Sequence, residues 1–403
     1  LRLEDKLYTI RSHVLEQMDL SRDMTDEEIY HIIARETAKE LRGQAISIRE
    51  RGEIQKRIFD SLRKMDVLQE LIDDPDVTEI MVNGPDHIFY EKGGRVYTSE
   101  KCFFSEEKLM DLMQQIVACH NRVVNQASPI VDTRLQDGSR VHIVLSPIAL
   151  DGSAMSIRRF PKKPMTMDKL IQTGSISEEA AGFLQTLVRA RYNIFISGGT
   201  SSGKTTFLNA LSQYIPTDER VITIEDSAEL QIQGVRNLVR LETRNANAEG
   251  VTAITIRDLI RTSLRMRPDR IIVGECRGAE TLDMLQSMNC GHDGSLSTGH
   301  ANSCRDMLSR LETMTMMAGM ELPLLAIRQQ IASGIDILVH LARIHDKSRR
   351  VMDIVELDGM LEGEICLHPL YQYQDGELRS TGKLKNTKKL EMAGIGWTIQ
   401  NIT

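Results

Sequence analysis

One glycine-rich stretch constrains this chain more than any other: residues 198–205 read GGTSSGKT. An apolar, strand-like run, YNIFIS, lies just before it, and a helical run, TTFLNALSQYI, begins at its last residue. Glycines allow successive backbone amides to point at phosphate oxygens, and the positive end of the following helix adds to that attraction. The order strand, loop, helix therefore predicts a site for the phosphates of a nucleoside triphosphate.

The residue types of this loop predict separate tasks. Lys204 would reach the β- and γ-phosphates, and the hydroxyl of Thr205 would ligate Mg²⁺. The predicted ATP-binding set is Gly198, Gly199, Thr200, Ser201, Ser202, Gly203, Lys204, Thr205 and Thr206.

Polar residues at three other predicted strand ends indicate that the chain hydrolyses a nucleoside triphosphate and does not only bind it. RIIVGE ends on Glu275, which suits a carboxylate that holds Mg²⁺ together with Thr205. VITIED ends on Glu225 and Asp226, and we expect Glu225 to orient the attacking water. His300, in STGHANS, is expected to sense the γ-phosphate or to bond the neighbouring carboxylate. Together these residues favour an ATPase that uses ATP and Mg²⁺.

The hydrophobic pattern divides the chain into four segments. Residues 1–65 predict a small helical bundle, and residues 66–162 predict an α+β domain of short strands, turns and one helix. From 163 to 375 strand-like and helical runs alternate, which predicts an α/β domain with a mostly parallel sheet. Past residue 335 the pattern is typical of an antiparallel meander. Residues 376–403 are predicted to be a polar tail.

Two helix starts in the first segment carry capping boxes, Thr25 with Glu28 and Ser47 with Glu50. In such a box the hydroxyl and the carboxylate each accept a hydrogen bond from a backbone amide that the helix leaves unpaired. Between the second and third segments, a linker with two prolines and two lysines predicts a hinge at residues 161–165.

Charge and cysteine content argue against several kinds of partner. The net charge of −7 provides no basic field to gather nucleic acid, so no nucleic-acid partner is expected. Six cysteines without a C-x-x-C pair indicate neither a zinc site nor a disulfide framework, and they fit a reducing cytosol. No apolar run approaches the ~18–20 residues of a membrane span. We therefore expect a cytoplasmic protein without a transmembrane segment, peripheral to the membrane through its partners.

Four boxes together resemble the secretion ATPase superfamily of type II secretion, type IV pili and type IV secretion. They are GGTSSGKTT, VITIEDSAEL, RMRPDRIIVGECRG and STGHANS, and in that superfamily they are the Walker A, Asp, Walker B and His boxes. Further segments, TEIMVNGP, PIVDTRLQDGSRV, SIRRF, RLETR and SMNCGHDGSLSTGHANS, resemble the CpaF-type ATPases that assemble tight-adherence (Flp) pili. The resemblance covers roughly residues 60–375.

This resemblance implies a RecA-like P-loop domain preceded by a small α+β (PAS-like) domain and an N-terminal helical bundle. It also implies a homo-hexameric ring and an inner-membrane platform protein as partner. Arginines of the α+β domain would approach the γ-phosphate, and Arg140 in DGSRV and Arg158 in SIRRF match those positions. Arg159 is the weaker candidate, because side chains alternate along a strand and it faces away from Arg158.

The predicted function is a hexameric motor that couples ATP hydrolysis to pilus assembly or protein secretion. Two alternatives remain at this point. One is a scaffold that ATP gates without significant turnover, and the other is a DNA-translocating type IV secretion ATPase, which the acidic charge balance disfavours.

Overall fold

Two units make up the fold of the computed structural model, unit 1 over residues 1–162 and unit 2 over residues 163–403. Most of the predicted hinge lies outside the described residues. The structure describes residues 3–19, 22, 24–44, 46–119, 122–159, 165–244 and 252–395.

Unit 1 begins with three helices that share one apolar core. Both predicted capping boxes are confirmed. The Thr25 and Ser47 hydroxyls accept hydrogen bonds from the backbone amides of Glu28 and Glu50, and the carboxylates of these glutamates accept hydrogen bonds from the backbone amides of Thr25 and Ser47. The buried contacts come from apolar residues spaced three to four apart, including Ile29, Ile33, Ile54 and Ile58. The helices are α1 (Leu3–Gln17), α2 (Asp26–Glu40) and α3 (Ile48–Arg63).

The rest of unit 1 is a six-stranded antiparallel sheet with a helix on one face. A 3-10 turn (Asp66–Leu68) and a short helix, α4 (Gln69–Asp73), lead into it. The strand order is β3-β2-β1-β6-β5-β4, and alternate residues such as Ile80, Val141 and Ile157 are buried with the apolar side of α5. The elements are β1 (Val77–Asn83), β2 (His87–Lys92), β3 (Arg95–Thr98), α5 (Glu106–Ala118), β4 (Ile130–Arg134), β5 (Arg140–Val144) and β6 (Ala154–Arg158).

Unit 2 is built on a nine-stranded sheet in the order β15-β14-β13-β12-β7-β11-β10-β8-β9. The six strands from β12 to β9 run parallel and the other three are antiparallel, so the predicted mostly parallel sheet and the meander are both confirmed. The sequence pattern did not predict β9. The strands are β7 (Ile194–Gly198), β8 (Arg220–Glu225), β9 (Asn237–Glu242), β10 (Arg270–Val273), β11 (Leu296–Gly299), β12 (Ile337–Arg343), β13 (Arg349–Leu361), β14 (Glu364–Gln374) and β15 (Glu377–Ser380).

Helices pack on both faces of this sheet. Ile194 and Ile196 of β7 belong to the core under one set of helices, and Phe195 belongs to the core under the other set. A strand that is buried on both sides in this way reads as a continuous apolar run. The helices are α6 (Met167–Gln172), α7 (Glu178–Arg189), α8 (Lys204–Ser212), α9 (Ile256–Ser263), α10 (Glu280–Asn289), α11 (Cys304–Met316), α12 (Leu324–Gly334) and α13 (Lys388–Met392).

The segment predicted as a polar tail, residues 376–403, continues the fold of unit 2 over its described part. β15 pairs with β14, and Leu384 and Leu390 are buried in the core. The Lys389 ammonium lies 2.7 Å from a carboxylate oxygen of Asp336, whose side chain is largely buried. The polar composition did not predict this packing, because two buried leucines and one ion pair are enough to hold a short segment against the core.

The two neighbouring arginines at the end of β6 have opposite environments. Arg158 is exposed, whereas Arg159 is buried and donates hydrogen bonds to the backbone carbonyls of Leu71, Asp74 and Val77. The guanidinium therefore ties the end of the sheet to the segment that enters it.

We predict that Arg159→Ala lowers the free energy of unfolding of unit 1 by about 2–3 kcal/mol, because it removes the donor to three backbone carbonyls, of which that of Val77 is in a buried contact. Arg158→Ala should change it by less than about 0.5 kcal/mol. Urea denaturation of both variants measures this. Equal stability of the two variants would contradict the structural role of Arg159.

Candidate active site

Four parallel strands of unit 2 end side by side at one edge of the sheet. They are neighbours in the order β7-β11-β10-β8, and the loops that follow them carry the predicted functional residues. In open α/β sheets, ligands bind in the crevice at the carboxyl ends of the strands. The sheet order thus brings the phosphate loop, His300, Glu275 and Glu225 to the same edge.

Close packing and backbone conformation account for two glycines of the phosphate loop. A Cβ atom on Gly198 would lie 2.5 Å from the carbonyl oxygen of Leu341 and 2.5 Å from Ser202 Oγ, so no side chain fits there. Gly203 has φ +95°, a left-handed conformation that glycine adopts at little cost, and it precedes α8. The amides of the first turn of α8 therefore face the loop, and Thr205 and Thr206 lie half-buried in that turn.

Lys204 lies inside the loop rather than in solvent, with 7% of its surface exposed. Its ammonium donates hydrogen bonds to the carbonyls of Gly198 and Gly199, at 3.0 and 2.9 Å. It also lies 3.3 Å from Nδ1 of His300. Arg349 of β13 donates from Nε to the Ser201 carbonyl at 3.0 Å and so braces the loop from outside.

His300 bridges the loop lysine and the carboxylate of Glu275. Its Nε2 lies 2.7 Å from Glu275 Oε1, and its Nδ1 faces Lys204. Burial lowers the pKa of His300, and the positive charges of Lys204 and Arg277 lower it further, against the opposing effect of Glu275. The neutral ring with its proton on Nε2 fits both contacts, because Nδ1 then accepts from the ammonium.

Glu275 is held from its other side by an arginine. Its Oε2 accepts a hydrogen bond from Nη2 of Arg277 at 2.7 Å. The same guanidinium lies 3.8 Å from a carboxylate oxygen of Asp226, at the end of β8. Arg277 thus connects the acidic residues that follow two neighbouring strands.

Glu225 is almost completely buried, with 3% of its surface exposed. Its Oε1 accepts hydrogen bonds from the backbone amides of Glu229 and Leu230, both at 2.8 Å. Gly274 makes room for it, since a Cβ there would lie 2.9 Å from Glu225 Cγ. Burial raises the pKa of Glu225 to about 7, although the two amide bonds pull it down.

Two buried oxygens around this edge have no hydrogen-bond partner among the residues that the structure describes: Ser202 Oγ and Glu225 Oε2. Buried polar atoms are normally paired, so two such atoms fit a site built for polar ligands and water. A cluster of three or more His, Cys, Asp or Glu ligands is absent from the described part of the chain. Mg²⁺ commonly takes only one or two protein carboxylates and completes its shell with phosphates and water.

The predicted arginines lie together on the sheet of unit 1. Arg140 of β5 is directly opposite Arg158 of β6, so both side chains lie on the same face. Arg140 donates from Nη2 to Asp132 at 3.2 Å, and His142 Nδ1 lies 3.1 Å from the same oxygen. Arg134 of β4 lies opposite Arg140 and continues the row of arginines across three strands.

Sequence reasoning missed Arg134 and Arg277. Arg134 could have been found, because the Asp137-Gly138 turn sets the hairpin register that pairs it with Arg140. No comparable sequence pattern predicts a contact for Arg277. Its contact with Asp226 depends on the adjacency of β8 and β10, which are far apart in the sequence.

Comparisons with known proteins point to one family. Residues 61–380 match the model of the family described as Type II/IV secretion system protein. A putative conjugal transfer protein of Mycobacterium tuberculosis is 35% identical over 297 residues, which cover 72% of this chain and 84% of that protein. The type IV secretion system protein PtlH of Bordetella pertussis is 33% identical over 310 residues, 71% of this chain and 91% of that protein. The Legionella pneumophila ATPase DotB shares the fold, with a TM-score of 0.52 and 21% identity over 73% of this chain and 80% of that one.

The raised pKa of Glu225 predicts a pH-dependent cost of folding. Because the pKa is about 7 in the folded chain and near 4.5 for a free carboxyl, the folded state binds the proton more tightly. Stability is then lost as the pH rises from about 4.5 to 7, by at most about 3 kcal/mol.

We therefore expect Glu225→Gln to gain about 1–3 kcal/mol over the native chain at pH 8 and much less at pH 5. Denaturant unfolding at both pH values measures this, with the exposed Glu377→Gln as control. A gain that is equal at the two pH values would contradict the assignment.

Proposed function

Because this chain belongs to the type II/IV secretion system protein family, we propose that it is an ATPase that powers pilus assembly or protein secretion. The observation that carries the proposal is the convergence of the phosphate loop, Glu225, Glu275 and His300 at one edge of the sheet. Within the family we propose the tight-adherence (Flp pilus) type, on the strength of the sequence segments that resemble CpaF-type ATPases.

The loop and its lysine are proposed to bind the triphosphate. The backbone amides that follow Gly198 and those of the first turn of α8 would face the phosphates, and Lys204 would supply a positive charge at the γ-phosphate. Thr205 and Glu275 would hold Mg²⁺, which neutralises phosphate charge when it is bound. His300, in contact with both Lys204 and Glu275, keeps these two groups in a fixed relation.

Glu225 is proposed to orient the attacking water. Its Oε1 is anchored by two backbone amides, while Oε2 has no partner among the described residues and is available for a water molecule. A base works best when its pKa lies near the operating pH, and that of Glu225 is about 7. Water attacks the γ-phosphorus, its proton passes to Glu225 Oε2, and the bond to the leaving ADP oxygen breaks.

Arg140 and Arg158 are proposed to stabilise the charge of the phosphoryl group during transfer. A guanidinium can contribute about 10³–10⁵ in rate in this role. Their pairing on adjacent strands presents two guanidinium groups on one face, and Asp132 holds Arg140 in place. Arg159 is not part of this proposal, because its guanidinium is engaged by backbone carbonyls.

The working assembly is proposed to be a homo-hexameric ring in the cytoplasm, docked on an inner-membrane platform protein. Hydrolysis would drive a movement of the arginine-bearing domain. None of the helices in the described residues has the length and apolar character needed to cross a bilayer. Platform-stimulated turnover would exclude a scaffold that ATP gates without hydrolysis.

A DNA-transferring secretion machine is the second candidate. Its support is that the matched relative from Mycobacterium tuberculosis is named a putative conjugal transfer protein. The net charge of −7 opposes direct DNA binding. An ATPase rate that rises with added DNA would favour this candidate, and an unchanged rate would favour pilus assembly or protein secretion.

We predict that Glu225→Gln binds ATP with nearly native affinity but reduces turnover by about 10²–10⁴, because the base is lost while the phosphate loop is intact. Lys204→Ala should lose ATP binding. Asp226→Asn, at the neighbouring strand-end acid, should retain most activity. Nucleotide titrations and steady-state phosphate release measure these effects. Normal hydrolysis by Glu225→Gln, or a larger loss of turnover in Asp226→Asn than in Glu225→Gln, would show that another residue is the base.

Arg140→Ala and Arg158→Ala should each lower kcat by at least about 10²-fold, because each removes a charge that acts mainly in the transition state. Nucleotide affinity should change little. Arg95→Ala, on the edge strand β3, is the matched control and should leave kcat unchanged. If both variants keep native kcat, the two arginines have no part in phosphoryl transfer.

A further inference from the structure

The buried carboxyl of Glu225 is held by a short segment, residues 226–231, that follows β8. Within this segment the backbone amides of Glu229 and Leu230 both donate to Glu225 Oε1, at 2.8 Å. Because a carboxyl group is planar and rigid, two hydrogen bonds to one oxygen also orient the other oxygen, Oε2. The direction in which Oε2 points therefore depends on where this segment lies.

Asn209 holds the segment from the helix that follows the phosphate loop. It lies on α8 and is buried, with 8% of its surface exposed. Its Oδ1 accepts a hydrogen bond from the backbone amide of Gln231 at 2.9 Å, and its Nδ2 makes a longer contact, 3.5 Å, with the backbone carbonyl of Glu229. One side chain thus uses both its acceptor and its donor on the segment, on either side of Leu230.

Arg240 of β9 holds the same segment from a second element. Its Nη2 donates to the backbone carbonyl of Leu230 at 3.0 Å. Together with the contacts of Asn209, this ties the backbone at three successive residues, 229, 230 and 231. Two of these residues supply the amides that bind Glu225.

The polar contacts of Asn209 connect two parts of the site that the apolar core does not connect in the same way. Phe207, Leu208 and Leu211 already pack α8 into the core. The same helix begins at Lys204, so Asn209 lies on one rigid element with the end of the phosphate loop. A water that attacks the γ-phosphate has to be placed relative to both the loop and the base.

On the premise that Glu225 is the base, as proposed above, we propose that Asn209 and Arg240 are positioning residues for hydrolysis. They act through residues 229–231 and set the position of Glu225 relative to the phosphate loop. Substitutions at either residue then change the rate of the chemical step and leave the binding of ATP intact.

The kinetic test uses Asn209→Ala in the full chain. It should lower kcat by about tenfold or more and leave ATP affinity nearly native, because the base is displaced while the phosphate loop is unchanged. Gln213→Ala is the matched control and should keep native kcat. Gln213 is the C-cap of the same helix, and its amide donates to the backbone carbonyl of Met165 instead.

A double variant distinguishes positioning from a general loss of stability. Residues that act as a unit are not additive, so adding Asn209→Ala to Glu225→Gln should cause no further loss of single-turnover rate. Arg240→Ala, at an exposed position, is the second single variant should Asn209→Ala not fold. It should lower kcat in the same way, whereas the exposed Arg236→Ala, which removes an equal charge nearby, should not.

Hydrogen exchange reports the position of the segment without any turnover. In Asn209→Ala the amides of Glu229 and Leu230 should exchange several-fold faster than in Gln213→Ala, as mass spectrometry or NMR would record. Unchanged exchange, a kcat equal to that of the control, or a further loss in the double variant overturns the inference. Native turnover in Glu225→Gln together with faster exchange would instead show that the proposed base is wrong.

Discussion

The contact chain from Lys204 through His300 to Glu275 depends on one constraint, the adjacency of β7, β11 and β10 in a parallel sheet. Parallel strands end at the same edge, so three residues separated by up to 96 positions come within hydrogen-bond range there. The histidine fills the position between the lysine and the acid because its strand lies between theirs. The geometry of the site is therefore a property of the sheet order.

Glu225 lies at the same edge of the sheet and shows what burial of a carboxyl costs. Two backbone amides and the absence of a side chain at Gly274 hold the carboxyl in a buried position. Burial raises its pKa toward neutrality, so ionisation of the carboxyl costs folding free energy above about pH 7.

Unit 1 uses the two faces of one sheet for different purposes. The covered face holds the apolar core and Arg159, whose guanidinium ties backbone segments together. The other face presents the row of Arg134, Arg140 and Arg158. Because side chains alternate along a strand, the neighbouring Arg158 and Arg159 face opposite sides of the sheet, the first exposed and the second buried.

The sequence by itself determined the phosphate loop, the capping boxes, the strand-end acids and the face of Arg158, because each follows from neighbours within a few residues. It also determined the mostly parallel sheet through the alternation of strands and helices. Only the tertiary structure decided that His300 contacts both Lys204 and Glu275, that Arg277 links Asp226 to Glu275, and that residues 376–395 pack within unit 2. These depend on strand order and on contacts between distant segments, which local patterns do not encode.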